Sequence, residues 1–569
     1  MQKKNNSDLS SFFEKYWAER YEYFPLDATQ QNVKGYDHLL ANDQTKKYRD
    51  DLKAFYGRYL QELKTFDRKS LNENDQISYD IFEYELKNQI ESIDLPLWQI
   101  PFQQFWGLPQ TFAQLGSGEY FHPFKTVEDY DNWLKRVDAF ADWTDSALEN
   151  FRMGLKNNYV LPKSLIVKML PQVKDLIVKD PKKSLFWGPI NKFPDSFSSK
   201  DKERLTKAFD LAIRGKVNPS YEKMYVFLKK SYLAKGRKTS GISALGDGVK
   251  TYEFLAQTWT TTTKSPEDIY QTGLKEVARI RQEMEKVKQE VGFKGTLPEF
   301  FHYIKTDKKF TPYSSAKEIL DAFENIHVRM KPQLQTMFGR VPKTPFMIKQ
   351  TEEFRAASAS AEYSQGSPDG SRPGVFYLPI LDPKTFNITS GMESLFLHEA
   401  IPGHHYQISL QQENQDLPKF RQFSWYGAYG EGWALYTESL GFELGLYKDP
   451  YQYVGALSDE MHRALRLVVD VGLHLKGMTR EEAIKYLLDN EPISLEGATA
   501  EIERYMAIPG QALSYKTGSL KIRELREKYQ KMLGDKFKIS EFHDEFLKDG
   551  CMPLALIEKK MDKWAQDKK

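Results

Sequence analysis

Three of the chain's ten histidines fall within residues 398–405, beside a glutamate, in the stretch 390–407 (SGMESLFLHEAIPGHHYQ). Imidazole nitrogens and carboxylate oxygens are the usual donors to zinc. In His-Glu-x-x-His hydrolases two His lie one helical turn apart, so both reach one ion. The Glu after the first His is then placed to take a proton from water. His398 and Glu399 supply the first half of that arrangement, but four residues after His398 stands Pro402. In an unbroken helix His404 would point roughly 240° away from His398. His405 would share the face but lie about 10 Å further along the axis. Pro402-Gly403 disfavours a regular helix and permits a break that swings a following His back toward His398. His404 is the favoured second ligand, because a Gly directly before it leaves room for the turn; His405 is the alternative.

A third ligand is available in residues 430–438 (GEGWALYTE). A lone Glu in so apolar a helix is unfavourable unless it is paired or bound to a cation. The glycines on either side of Glu431 let another element approach closely. Two His and one Glu leave a coordination position open for water, the mark of a catalytic rather than a structural site. Glu438, two turns on, is either a partner to a ligand His or part of a plain salt bridge. The stripe His462, Arg466, Asp470, His474 steps by four along an otherwise apolar, hence buried, helix. It reads either as an internal Arg466–Asp470 ion pair with a core His, or as a polar stripe facing a cleft. In the second case His474 or Arg466 would stabilise an oxyanion or bind a substrate carboxylate. Tyr505 and Tyr515, around Pro509-Gly510, are candidates for a hydroxyl aimed at the same oxyanion, with core tyrosine the competing account. The isolated His38, His122, His302, His327 and His543 read as surface or satisfied structural residues.

These groups need helices to hold them, and most of the chain has helical texture. Leu9, Phe12, Phe13, Tyr16 and Trp17 trace one buried face, and Tyr48, Leu52, Phe55, Tyr59 and Leu63 repeat it. Ser265-Pro266-Glu267-Asp268 and Thr479-x-x-Glu482 read as helix starts, as does Ser390-x-x-Glu393. Residues 354–380 break the pattern: Ala/Ser alternation, a Gly/Pro/Ser loop, then Val375-Phe376-Tyr377-Leu378. That predicts two short strands around a turn-rich loop, either a surface hairpin or an edge strand able to pair with an extended peptide.

Composition sets the outer limits. The 569 residues are 40% apolar, enough for a large core, and 14% aromatic, with a minority of those rings free to line a cleft. A net charge of +2, from 81 basic and 79 acidic side chains, argues against a nucleic-acid partner. No stretch has the length and apolarity of a membrane span. A single cysteine, Cys551, rules out an internal disulfide and a Cys-rich metal site. The polar N-terminus carries no signal-peptide core in this numbering, which fits a cytoplasmic protein and equally an exported one whose signal was left out. Nothing specifies an oligomeric state.

HEAIPGHHYQ followed by GEGWALYTESL resembles the bacterial domain-of-unknown-function family 885, regarded as zincin-type peptidases, and GEGWALY is similar to the Glu-bearing helix of Glu-zincins. FPLDAT (24–29), SPDGSRPGVFY (367–377), RLVVDVGLH (466–474) and RYMAIPGQALSYKTG (504–518) extend the resemblance over nearly the whole chain. It implies a mainly α, zincin-like, two-lobed body with a deep cleft and a small β element near 354–380. Residues 1–350 would form a helical N-terminal lobe and 351–569 the catalytic region. The expected activity is zinc-dependent hydrolysis of peptides, with His398, His404 and Glu431 holding Zn²⁺, or Mn or Co in its place. Glu399 would be the base, and Tyr505, Tyr515, His474 and Arg466 the supporting groups. The rival readings are a zinc amidase or esterase on a non-peptide substrate, and an inactive peptide- or glycan-binding scaffold.

Overall fold

A computed structural model of the chain describes residues 6–351, 360–367 and 370–569. Contacts group the chain into two compact units. One comprises residues 1–72 and 82–248, the other 73–81 and 249–569. The grouping changes after Gly248, so the first 350 residues contribute to both units.

The first unit is all helix. The apolar face read from the sequence is buried along Ser7–Arg20, as are Leu52, Phe55, Tyr59 and Leu63 along Lys46–Leu63; Tyr48, at the start of that helix, is half-buried. The long helix Val127–Lys156 opens on a capping box at Thr126 and Asp129 and carries Arg136, which is fully buried. Its guanidinium donates to the carbonyls of Leu39 and Tyr36 and to Thr29 Oγ1, and it contacts His122 Nδ1 at 2.7 Å. Thr29 closes the FPLDAT stretch, which also engages Arg20 through Asp27 at 2.7 Å and through the Phe24 ring. His122 is a satisfied structural residue, as expected.

The second unit holds the helices that position the site. They are α1 (Pro266–Glu290), α2 (Ala316–Met337), α3 (Met392–Glu399), α4 (His404–Glu413), α5 (Gly427–Glu438), α6 (Pro450–Leu475), α7 (Leu495–Ala507) and α8 (Ser514–Leu533). The capping boxes expected at Ser265 and Thr479 are present. The one expected at Ser390 is not. Gly391, in a left-handed conformation at φ 80°, is the N-cap of α3 and gives no side-chain bond. Glu393 is used elsewhere: it pairs with Arg329 at 2.7 Å and accepts the Tyr447 N–H at 2.6 Å.

Three strands, β1 (Phe346–Gln350), β2 (Glu362–Ser364) and β3 (Gly374–Leu378), form a sheet in the order β1-β3-β2. β3 pairs parallel to β1, Phe346 facing Gly374, and antiparallel to β2, Glu362 facing Tyr377. The expected hairpin exists as β2 and β3. β1 is the addition that the sequence reading missed, and residues 354–359 and 368–369 of the expected element lie outside the described residues. β3 is central and mostly buried, so β2 is an edge of the sheet. No helix among the described residues is long and apolar enough to cross a membrane. Cys551 is buried, with the Tyr426 N–H 3.1 Å from its sulfur.

Candidate metal centre

The helix that begins at Met392 ends at Glu399, and a new one begins at His404. Between them the backbone turns through Ala400 and a cis Ile401–Pro402 peptide. Gly403 is required by close approach: a Cβ there would run into the carbonyl oxygen of His398. The break is held from outside by α5. Trp433 Nε1 donates to the Pro402 carbonyl and Thr437 Oγ1 to the Leu397 carbonyl, each at 2.8 Å. α5 is itself locked by its glycines. A Cβ on Gly432 would sit 2.6 Å from Gly518 Cα on α8, and one on Gly430 would strike the Trp425 ring. The first glycine admits a helix and the second a side chain, with Glu431 between them.

This scaffold brings three donors together. His398 Nε2 lies 3.5 Å and His404 Nε2 3.4 Å from Glu431 Oε2. All three donor atoms lie within 4.8 Å of one another. Direct N–H···O bonds run at about 2.7–3.2 Å, so both separations are long for hydrogen bonds. They match the edge of a tetrahedron of donors around an ion with bonds near ~2.1 Å, about 3.4 Å. The two imidazole rings stand almost perpendicular, 4.9 Å apart.

The electrostatics favour a cation. Burial works against a charge on His398, but its bonds to Glu431 and Glu438 outweigh that and raise its pKa to about 10. Burial would raise Glu431, yet His404 and His398 hold it well below the usual carboxylate range. Two carboxylates thus crowd one nearly buried imidazole, and their negative charge can be offset there by a proton or by a metal cation. Glu438 lies 2.7 Å from His398 Nδ1, which leaves Nε2 as the nitrogen that faces Glu431. His404 Nδ1 has no hydrogen-bond partner among the described residues. Its ring lies against Trp425, 5.8 Å between centroids. The residues present fit a zinc-type ion.

His405 goes elsewhere. Its Nδ1 meets the Tyr363 hydroxyl of β2 at 2.9 Å, its ring packs on Phe346, and burial pushes its pKa down to about 4. It is a neutral histidine that ties α4 to the sheet.

The three donors and Glu399 open on a cavity of about 760 Å³, a size suited to a few residues of an extended ligand. Tyr363, Trp425, Arg466 and Tyr515 also line it. The other expected residues sit apart from the lining. Tyr505 is buried behind Arg466, taking the Arg466 Nε–H at 2.9 Å and donating to Glu501 at 2.6 Å. His474 is fully buried, stacked on Tyr252, with Nε2 2.9 Å from the Tyr505 carbonyl oxygen. The Arg466–Asp470 ion pair does not form. Arg466 pairs with Glu501, while Asp470 accepts the Tyr252 hydroxyl and the Gly510 N–H. Burial, foremost, pushes the Asp470 pKa up to about 7. Glu501, which sequence reasoning missed, stands on the cavity wall with Arg463 and Arg504, which the sequence placed beside the candidate residues without a role of their own. Their only signal was their charge on otherwise apolar helix faces.

Two solved structures are similar over almost the whole chain. A "putative lipoprotein" from Colwellia psychrerythraea is 27% identical, with a TM-score of 0.88, covering 98% of this chain and 99% of its own. A "putative lipoprotein of unknown function" from Shewanella oneidensis is 20% identical, with a TM-score of 0.78, covering 98% and 100%, and shares the fold. No curated protein matches the sequence. The family model described as "Bacterial protein of unknown function (DUF885)" matches residues 25–561, and the chain belongs to that family.

Proposed function

We propose that the protein is a zinc-type metallohydrolase whose substrate is a peptide. The observation that carries the reading is the convergence of His398, His404 and Glu431, with Glu431 Oε2 at tetrahedral-edge distance from each imidazole Nε2. Glu399, the next residue along from His398, stands in the same cavity. An ion bound there supplies Lewis acidity, polarising a carbonyl and making water a nucleophile near neutral pH.

The chain's own residues do the rest. Glu438 keeps the His398 imidazole in the tautomer that presents Nε2. The Glu399 carboxylate accepts the proton lost by the attacking water and passes it to the leaving amine nitrogen, so that one water is consumed and a carboxylic acid and an amine are released. Tyr515, half-buried on the cavity wall, offers its hydroxyl to the oxyanion. β2, at the edge of its sheet and lining the cavity through Tyr363, supports an extended backbone as the ligand. A non-peptide amide or ester fits the same chemistry but makes no use of that strand. The name of the Colwellia protein supports export for this chain too, with the cavity working on peptides outside the cytoplasm.

The test is cleavage of a mixed peptide library, read by mass spectrometry, beside elemental analysis of the purified protein. Chelator-sensitive cleavage is expected. Glu399→Gln should keep the metal and lose at least about a hundredfold in kcat. Full activity in that variant would remove Glu399 from the mechanism.

A further inference from the structure

The cavity has a second chemical character beside its metal donors. α6 lends it His462, Arg463 and Arg466, α7 lends Glu501 and Arg504, and the first turn of α8 lends Tyr515. Three guanidinium groups therefore share this wall with one carboxylate. That carboxylate is already divided. Glu501 Oε2 accepts from Arg466 Nη2 at 3.0 Å and from Tyr505 at 2.6 Å, and faces His462 Nε2 at 3.3 Å, while its Oε1 lies 3.6 Å from Arg504. Arg463 has Asp459 near it at 3.6 Å, an acid that Ser394 also engages at 2.7 Å. Glu438 and Asp459 both support the Arg463 charge against its burial.

Arg466 is held rigidly. Tyr505 and Glu501 fix two of its nitrogens, and the Tyr515 ring covers the guanidinium 4.6 Å away. Its Nη1 is buried and has no hydrogen-bond partner among the described residues, and the same holds for Nε of Arg463, one turn earlier. Buried donors without acceptors are unfavourable, and native structures rarely keep them without a reason. With an aromatic ring covering the guanidinium, a ligand meets it edge-on, in its plane. Planar, edge-on pairing is the geometry of guanidinium with carboxylate.

We propose that this wall is a carboxylate-binding subsite in which Arg466, with Arg463 beside it, takes a carboxylate of the substrate and so sets which bond is presented to the metal donors. The inference rests on the peptide-hydrolase reading and gives it a substrate class: peptides that carry a carboxylate near the scissile bond, at a free C-terminus or on an acidic side chain. Arg466 and Arg463 act here as specificity residues.

Three peptides of one sequence test this on the metal-loaded full chain: the free acid, the C-terminal carboxamide, and the carboxamide with Asp as last residue. The free acid should be cleaved with a kcat/KM at least tenfold above the carboxamide. In Arg463→Gln and Arg466→Lys that ratio should fall toward one, mainly through a higher KM for the acid. If the Asp peptide recovers the rate, the subsite also reads side chains, which supports the proposal. Equal cleavage of all three by the wild type overturns it. A binding measurement separates this from the hydrolase reading. Calorimetric titration of the chelator-treated chain with N-acetyl-leucine and N-acetyl-leucinamide should show at least tenfold tighter binding of the acid, lost in Arg463→Gln. Acid binding without any peptide cleavage would sink the hydrolase and keep the subsite. Cleavage with no preference for the acid in either assay would do the reverse. Because Arg466 is buried and anchors two neighbours, the half-buried Arg463 is the variant that decides should Arg466→Lys fail to fold.

Discussion

His404 and His405 are adjacent in the chain and part company in space: one turns to Glu431, the other to Tyr363. Composition could not separate them, because both are buried imidazoles in the same turn. What separates them is Gly403, whose missing side chain lets the backbone close on the His398 carbonyl and aims the next residue inward. His404→Ala should therefore lose bound metal by elemental analysis, whereas His405→Ala should keep it and instead melt at a lower temperature. Metal loss in both would mean that the turn, rather than the ligand, had been damaged. The donors were legible because their residue types are rare and clustered. The fates of His474 and Tyr505 were not. A four-residue period shows that positions share a helix face but says nothing of what covers that face, here Tyr252 for one and Arg466 for the other.

At the scale of elements, the helix starts at Ser265 and Thr479 were readable, since a Ser or Thr three residues before an acid needs no distant partner. The helix expected near Ser390 does begin, at Met392, but without its capping box, because Glu393 is claimed by Arg329 and Tyr447, contacts far away in sequence. β1 was missed because no local alternation announces it; it is a strand because β3 pairs with it. The α5–α8 crossing depends on two glycines face to face. Gly518→Ala would push a methyl group into the Ala428 carbonyl and should destabilise the protein by about 2 kcal/mol or more, measured by denaturant titration. The α6 helix carries a buried acid with a sign that can be checked. The folded Asp470 titrates near 7, above the ordinary value of about 4. The native state therefore holds the proton more tightly, and this contribution favours folding below about pH 4 and is lost as pH climbs toward 7. Asp470→Asn keeps an acceptor for Tyr252 and Gly510 without the charge. Its melting temperature should exceed the wild type's at pH 8, with the gap closing toward pH 4; a gap independent of pH would refute the assignment.

Over the whole molecule, His398, His404 and Glu431 of the candidate metal centre all belong to the unit formed by residues 73–81 and 249–569. A ligand that binds only the native state stabilises it by mass action, by about 2.7 kcal/mol at a hundredfold excess over its Kd. Chelation should accordingly lower hydrogen-exchange protection in α3, α4 and α5 and leave peptides from residues 82–248 unchanged. A loss of protection confined to residues 82–248 would place the ion elsewhere. The family resemblance, read over nearly the whole sequence, goes with a fold shared across 98% of the chain with the Colwellia protein. Helical texture and family motifs were thus enough to anticipate a mainly helical body, while the change of unit after Gly248 was invisible, because no composition shift marks it.

The contact of Gly432 with Gly518 joins the helix that bears Glu431 to the helix that begins beside Tyr515. Backbone touching backbone leaves no compressible layer between them. Glu431 and the Tyr515 phenol are in effect mounted on one stiff bracket, so a guest of the proposed site would find both already at their stations. Little freedom remains to be frozen on that side at the moment of capture, and affinity there should depend weakly on temperature-driven loosening of the surrounding loops.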